Sequence, residues 1–461
     1  MSWQILVDCL AAGIIGYFIL SRTGNFLINL LAIFRLRDLE REKVLADLPL
    51  LHAGLEQPIS ILLTTRDEAA TIVAKIRTLL QLDYSSFEIV VVNNGSRDAT
   101  MAELTGAFDL HPFPEAYRVR LKTKAVRGIH RSAGYKNLRV IDQEAGSTAD
   151  ALNAGINAAR YPLLCSVASD TLLRRDCLQR LAAPFVSDNQ VMAATASVRV
   201  GNECKTTNGL LAGIVLPERW LSRLQLIDQL RASLFAPLGW SIGNATLLTT
   251  PGISLLRKEA VIHADGYSTQ ATDPQMEIIV RLHRAMREKR QPYSIRFVAE
   301  PICVRNVPDS LYMWKEKRTH YQRALADSLH LNTRWPLRNA GLAGHIAFPF
   351  VLLFESWGPL IELFGYLFML AAFAGGVIPA QAFGAFMMAA IGFGILLSAS
   401  GLLLEEMSFH TYSEKSDVLA LALAAVFANL GYAQLDTVWR SMAMLQRKQE
   451  SASQTTRPEQ T

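Results

Sequence analysis

Between residues 341 and 404 the chain carries no acidic or basic side chain except His345, Glu355 and Glu362. Soluble domains carry roughly one charged residue in four. A stretch this apolar has no stable place in water, so it is read as membrane-embedded. Apolar segments run over 342–355, where Pro349 interrupts the pattern, then over 359–377 and 383–404. A last one, 418–432, is shorter and contains Asn429, which fits either a span or an interfacial helix. Beyond Lys448 the Ser/Thr/Gln-rich tail, 449–461, reads as disordered.

The other end repeats the theme. Residues 4–34 are mostly apolar, with Ser21-Arg22-Thr23-Gly24-Asn25 in their middle. No basic residue precedes Arg22, whereas Arg35, Arg37, Arg41 and Lys43 follow. The bias of basic residues toward the cytoplasm places the N-terminus outside and the next domain inside, in a multi-pass protein of the cytoplasmic (inner) membrane. A signal peptide fits poorly, because the basic cluster follows the apolar run. The segment is either one long tilted helix with a snorkelling Arg22 or a shorter span plus an interfacial helix. The five cysteines, Cys9, Cys165, Cys177, Cys204 and Cys303, are odd in number and lack metal-ligand spacing, which points to reduced thiols. The net charge of +5 suits an anionic membrane surface or an anionic nucleotide equally.

Between these ends lies a cytosolic domain, 37–335, with its core sheet over 57–300. Residues 59–65 form a short buried strand with Arg66-Asp67-Glu68 at its tip, and a helical pattern follows through Leu82. A second strand over 87–92 ends in Asn93-Asn94-Gly95-Ser96, and Asp98 can cap the next helix. The stretch 147–171, STADALNAGINAARYPLLCSVASDT, is a helix feeding a buried strand tipped by Ala168-Ser169-Asp170. Strand and helix alternating in this way is the grammar of a doubly wound sheet, whose ligands bind at the strand tips. Further helices are expected over 176–185 and 220–235, and strands over 192–200 and 252–257. Asp273 and Pro274 open another helix as N-cap and first residue, running to about Arg287. The interface helix, 309–330, is charged and aromatic. A transporter fits poorly: the spans show no repeat and half the chain is cytosolic.

In order, the segments ISILLTTRDEAATI, FEIVVVNNGSRD, ADALNAGINAARYPLLCSVASD, GISLLRKEAVIHADGY, MEIIVRLHR, LLFESWGPLIELFGYL and LLLEEMSF resemble the membrane-bound family-2 glycosyltransferases, the group that includes cellulose, chitin and hyaluronan synthases. The resemblance covers nearly the whole chain. It implies an α/β fold: a GT-A (nucleotide-diphospho-sugar transferase) doubly wound mixed-sheet domain flanked by transmembrane helices 1–36 and 341–434. Active relatives move sugar from a nucleotide diphosphate donor to an acceptor with inversion, assisted by a divalent metal, magnesium or manganese. That chemistry needs carboxylates for the metal, a carboxylate base for the acceptor hydroxyl, and cations and aromatics to orient acceptor and diphosphate.

The resemblance carries nucleotide binding onto Thr65, Arg66, Glu68, Asn93, Asn94, Asp150 and Asn153, and acceptor or diphosphate contacts onto His320, Tyr321 and Arg323. It also exposes departures at every catalytic motif. The usual Asp pair after the second strand is Asn93-Asn94, and the Lys of Lys-Ala-Asp is Thr148. Asp-x-Asp reads Ala168-Ser169-Asp170, leaving Asp170 as the one metal carboxylate. The Glu-Asp pair reads Pro274-Gln275, so the base position is an amide, with Asp273 and Glu277 as substitute catalytic candidates. Gln-x-x-Arg-Trp reads Lys317-Arg318-Thr319-His320-Tyr321. A positioned base is worth ~10²–10⁴-fold in rate. The expected function is therefore a catalytically degenerate subunit that scaffolds, binds or regulates in envelope polysaccharide assembly. Its expected partners are membrane lipid, a nucleotide-sugar and an active glycosyltransferase or other assembly proteins, with no nucleic acid. Metal is expected only if the protein is active. The alternatives are an active inverting transferase using altered residues, and a nucleotide-sensing module.

The same residues also have structural readings. Asp273 caps its helix, Asp150 and Asn153 cap and pack theirs, and Asp170 bonds a neighbouring backbone amide. Trp240 and Trp314 serve as interface or core aromatics, and His320 is solvated. Glu355 and Glu362 face the bundle interior or a polar channel.

Overall fold

The computed structural model describes residues 2–46, 56–113, 117–248, 252–333, 340–412 and 414–455. Twelve strands are present among them: β1 (Ile59–Thr65), β2 (Phe87–Asn94), β3 (Leu110–Pro112), β4 (Val126–Ser132), β5 (Leu138–Gln143), β6 (Leu163–Val167), β7 (Thr171–Leu173), β8 (Val191–Val200), β9 (Lys205–Thr207), β10 (Leu210–Gly213), β11 (Ile253–Arg257) and β12 (Ser294–Arg305). Ten join one sheet in the order β3-β4-β5-β2-β1-β6-β11-β8-β12-β7, and β9 pairs with β10 apart from it. The central strands β5, β2, β1 and β6 are parallel, β11 runs antiparallel between β6 and β8, and both edges close with antiparallel pairs. The sheet is mixed, as expected.

Buried on both faces, the central strands read as continuous apolar runs. Ile59, Ile61 and Leu63 of β1 pack toward α2 (Ile72–Leu79), α3 (Thr100–Phe108) and α5 (Cys177–Ser187). Leu62 points the other way, with Val90 and Val92, toward α4 (Thr148–Ala158), α8 (Lys258–His263) and α9 (Pro274–Glu288). This is the period-2 alternation of a strand sandwiched between two helical layers. A capping box starts α4: the Ser147 hydroxyl accepts from the Asp150 amide, and the Asp150 carboxylate accepts from the Ser147 amide. Gly155 lets the helix lie on the sheet, since a Cβ there would stand 3.1 Å from Leu62 and 3.3 Å from Val92.

One helix, α1 (Ser2–Ala46), spans the N-terminal region. At 1.5 Å per residue it is about 68 Å long, more than a bilayer's apolar thickness. This decides for the single long helix, but Arg22 does not snorkel. It turns inward and pairs with Glu362 at 3.9 Å, which spares it an unpaired place among apolar helices.

Helices α6 (Trp220–Leu230) and α7 (Ala236–Ser241) are joined by a π-helical turn, so the helix expected to end at 235 continues through Gly239-Trp240-Ser241. Pro237 lacks the N–H that would bond back along this continuous helix, and the π-helical turn just before it is where the helix accommodates that loss. The interface helix is α10 (Leu311–His330), and later in the chain come α11 (Phe348–Phe350), α12 (Gly358–Ala374), α13 (Ala380–Met387), α14 (Phe393–Phe409), α15 (Lys415–Phe427) and α16 (Ala433–Thr455).

Among the described residues three helical stretches are long and apolar enough to cross a membrane: Gln4–Arg37, Ala380–Phe409 and Lys415–Gln446. The two segments expected around 342–355 and 359–377 are instead one pair, Ala343–Ser356 and Gly358–Ala374, bent by 46°. The first half is too short to span alone, and the second, at 17 residues, sits at the short end of what a span needs. The shorter segment expected at 418–432 extends through Gln446, kinked where Leu430 and Gly431 leave helical geometry, with Gly431 at φ +100°. Helix α16 runs to Thr455, and no Gly or Pro interrupts the chain before Pro458. The remaining tail, 456–461, lies outside the described residues.

Where the membrane helices meet α6 and α10, charges gather. Arg318 bonds Asp228 and Asp436, each at 2.5 Å, and Arg440 bonds Gln322 at 2.7 Å and lies 3.5 Å from Glu355. A polar cavity of about 80 Å³ lies among them, lined by Glu355, Glu362, Arg22 and Arg231 as well. Both glutamates thus face the bundle interior. Trp314 is a core aromatic, stacked on Tyr432 at 4.1 Å, and Trp240 packs edge-on against Phe350.

Candidate functional site

The parallel register aligns the tips of the central strands along one edge: Thr65 beside Asn93, Asn93 beside Asp142, and Asn94 beside Gln143. Such an edge is where open sheets bind ligands. Here most polar groups satisfy one another. Asn93 donates to Asp142 at 2.7 Å and accepts from Ser96 at 2.5 Å. Asn94 accepts from Gln143 at 3.0 Å and from the Gly146 amide at 2.9 Å, and donates to the Gly146 carbonyl at 3.0 Å. Thr65 donates to Glu68, which pairs with Lys75 at 2.8 Å. Arg66 is exposed beside Asp67, whose φ of +55° lets its carboxylate accept from the Arg97 amide at 2.7 Å. These residues shape the strand-tip edge, and of the expected nucleotide contacts among them Arg66 is the exposed one.

On the other side of the tip, Asp150 is committed to its capping box. Asn153 is buried and grips the backbone of Tyr267 from both sides, donating to its carbonyl at 2.9 Å and accepting from its amide at 2.8 Å. The turn preceding Tyr267 needs Gly266, which has φ +68°, and a Cβ there would sit 2.5 Å from Asn153 Oδ1. So Asn153 ties the central helix to the loop that leads into α9.

The end of β6 is where the expected chemistry should converge. Asp170 follows it, and β7 begins at Thr171, directly opposite Arg305 at the end of β12. That register delivers Arg305 Nη2 to Asp170 Oδ2 at 2.6 Å. The Asp170 side chain is 54% exposed and Arg305 20%, so the pair faces the cleft. Asp273 lies within electrostatic reach of Arg305 and of His320 on α10. It caps α9, accepting from the amides of Gln275 at 2.9 Å and Met276 at 3.2 Å. Burial pushes its pKa up, while those two amides and the cations His320 and Arg305 pull against the rise. Lys317, one turn before His320, shares the field of Arg305 and Asp170 and reaches the Asn306 carbonyl at 3.4 Å.

Of the expected site residues, Asp170 contacts one the sequence reading missed, Arg305, and Asp273 lies within electrostatic reach of both Arg305 and His320. No motif contains Arg305, and only the β7–β12 register brings it in. Others are held elsewhere. Glu277 is buried and closed off by a two-point pair with Arg281 and by Asn332, which donates to it at 3.0 Å. It has no face left for an acceptor hydroxyl. Burial among apolar neighbours pushes Tyr321 up to about 12, and Arg323 donates to Gln446 of α16 at 3.0 Å.

A divalent cation needs several oxygen ligands. The tip offers Asp170 alone, already paired with a guanidinium, and position 168 is alanine. Among the described residues no three His, Cys, Asp or Glu side chains gather as a metal-holding group. The residues present do not fit a carboxylate-held divalent metal.

Comparison with known proteins places this geometry. Residues 60–232 match the family model for Glycosyl transferase family 2. Poly-beta-1,6-N-acetyl-D-glucosamine synthase of Staphylococcus aureus (strain COL) is 25% identical over 263 residues, covering 56% of this chain and 52% of that protein. The enzyme of the same name from Staphylococcus epidermidis is 23% identical over 263 residues, with the same shares covered. The matched region thus spans about half the length of these curated relatives. Among solved structures, a mannosyltransferase from Pyrobaculum calidifontis in complex with GDP-Man and Mn2+ superposes with a TM-score of 0.52 at 16% identity, covering 91% of this chain and 99% of that one. That likeness shows a shared GT-A fold.

Proposed function

Because residues 60–232 form a glycosyl transferase family 2 domain within a GT-A fold that carries membrane helices, we propose that this protein binds a nucleotide-linked sugar in cell-envelope polysaccharide assembly and does not transfer it. It acts as a scaffold or regulatory subunit beside an active glycosyltransferase. In this reading the domain lies in the cytoplasm, the N-terminus is outside, and several helices cross the cytoplasmic membrane. The similarity to poly-N-acetylglucosamine synthases supports the envelope setting.

What carries the reading is Gln275, the amide that the family resemblance sets at the position of the catalytic base. A neutral amide cannot take the acceptor's proton. The next carboxylate along the helix, Glu277, is locked to Arg281 and Asn332.

One observation favours a second reading, an active inverting transferase. Asp273 is a carboxylate at the cleft whose pKa is raised by burial, the property of a tuned base. Purified full-length protein in lipid nanodiscs, given UDP- and GDP-linked sugars with magnesium or manganese, separates the two. Binding without release of nucleoside diphosphate supports the scaffold. Turnover that disappears in Asp273→Asn establishes the transferase and ends the first reading.

A further inference from the structure

We infer that Arg305 is a built-in cation of this cleft, and that the diphosphate of a nucleotide binds against Arg305 and Lys317 with no divalent metal. The inference rests on the nucleotide-binding reading above and specifies how that site works.

A diphosphate entering at the tip of β6 must meet compensating positive charge. Where two carboxylates stand at this tip, a divalent ion can supply it. Here one carboxylate position is Ala168, and the other, Asp170, is engaged by Arg305 at 2.6 Å. A guanidinium against the remaining carboxylate repels a divalent cation and cancels much of the charge that would attract one. The same group suits phosphate: its planar fork of five N–H donors can serve a carboxylate and a phosphate oxygen together.

Three features make this a built arrangement. Arg305 is held by ladder pairing to Thr171 on one side and Val200 on the other, so its backbone is fixed in the sheet. Its carbonyl also accepts from the Gly201 amide at 2.8 Å. Lys317 approaches from α10, a different element, and its ammonium reaches the carbonyl of Asn306, the residue after Arg305. Two cations from separate elements therefore converge on one exposed carboxylate at the ligand edge of the sheet. Both cations lie in the field of Asp170, and Arg305 is also within reach of Asp273, so a diphosphate would share these cations with carboxylates already present.

The test is calorimetric titration of full-length protein in nanodiscs with UDP and GDP, in excess EDTA and in excess magnesium. The dissociation constants should agree within about twofold, whereas Arg305→Gln should bind about tenfold more weakly or worse in either condition. Lys317→Gln, a change on an exposed side chain, should weaken binding several-fold, and Arg305→Lys should fall between wild type and Arg305→Gln. Arg305→Gln combined with Ala168→Asp restores two carboxylates and removes the guanidinium, so any recovered binding should require magnesium. Binding by wild type only in magnesium overturns the inference while leaving the nucleotide reading intact. Unchanged affinity in both Arg305→Gln and Lys317→Gln also overturns it. No binding of either nucleotide in any condition defeats the nucleotide reading itself.

Discussion

The sheet domain and the membrane helices should come apart energetically at one buried ion pair. Arg199 of β8 and Glu405 of α14 are both about 1% exposed and lie 2.9 Å apart. They are not aligned for a hydrogen bond, so the attraction is chiefly Coulombic. Each has little other support: Arg199 donates to Ser197 at 3.0 Å and lies 5.2 Å over Phe409, and Glu405 accepts from Thr411 at 2.9 Å. Arg199→Met leaves a buried carboxylate facing apolar atoms, and Glu405→Leu leaves a buried guanidinium. Removing one partner of such a pair costs about 3–5 kcal/mol, because the survivor keeps its desolvation penalty without compensation. Replacing both by apolar residues removes the penalty too, and is often neutral or stabilising. The double variant should therefore be more stable than either single one, with a coupling energy of several kcal/mol. Thermal unfolding in detergent, followed by tryptophan fluorescence, should place each single variant lower by on the order of 10 °C and return the double variant close to wild type. Single effects below about 1 kcal/mol that simply add would refute the view that this pair joins sheet to membrane.

Three further expectations concern the sheet domain. His283 is buried between the Tyr293 hydroxyl at 2.8 Å and the Thr246 carbonyl at 3.0 Å, and burial depresses its pKa from 6.5 to about 4. The unfolded chain then binds the proton first, so the stability due to neutral His283 is complete above pH 6.5. It falls as pH drops toward 4 by on the order of 3 kcal/mol, and His283→Gln should flatten that slope in a melting series across pH. Asp273→Ala should cost about 1 kcal/mol by removing the α9 cap, whereas Asp273→Ser should restore most of it. Denaturant titration distinguishes these, and equal stability of both variants would deny the capping role. Gly266→Ala should cost more than about 1 kcal/mol, from strain at φ +68° and collision with Asn153, and protease sensitivity at the loop before α9 would report it.

The elements legible in the sequence were those with local causes. The apolar runs of β1, β2 and β6, the Ser147–Asp150 cap, and Asp273 with Pro274 at the start of α9 all follow from neighbours in the chain. The membrane placement of Glu355 and Glu362 was legible because charge in an apolar segment demands an interior partner. The partners were not: Arg440 and Arg22 lie far away in sequence. The same limit hid Arg305, which meets Asp170 through strand register alone. Nor were the bonding neighbours of Asn93 and Asn94 legible, since Asp142, Gln143 and Gly146 stand some 50 residues on. Glu277 is a different case. Arg281 stands four residues along the same helix, a spacing that pairs charges, and the ion pair could have been read directly.

The central claim, binding without transfer, is tested most directly in a single sample. Full-length protein in nanodiscs, in molar excess over a radiolabelled nucleotide sugar, is filtered to measure bound label, then quenched and separated to find its chemical form. The account expects the label to be retained and to remain joined to its nucleotide through hours of incubation, with or without magnesium. Label appearing in lipid, polymer or free sugar at a rate that Asp273→Asn abolishes would contradict it.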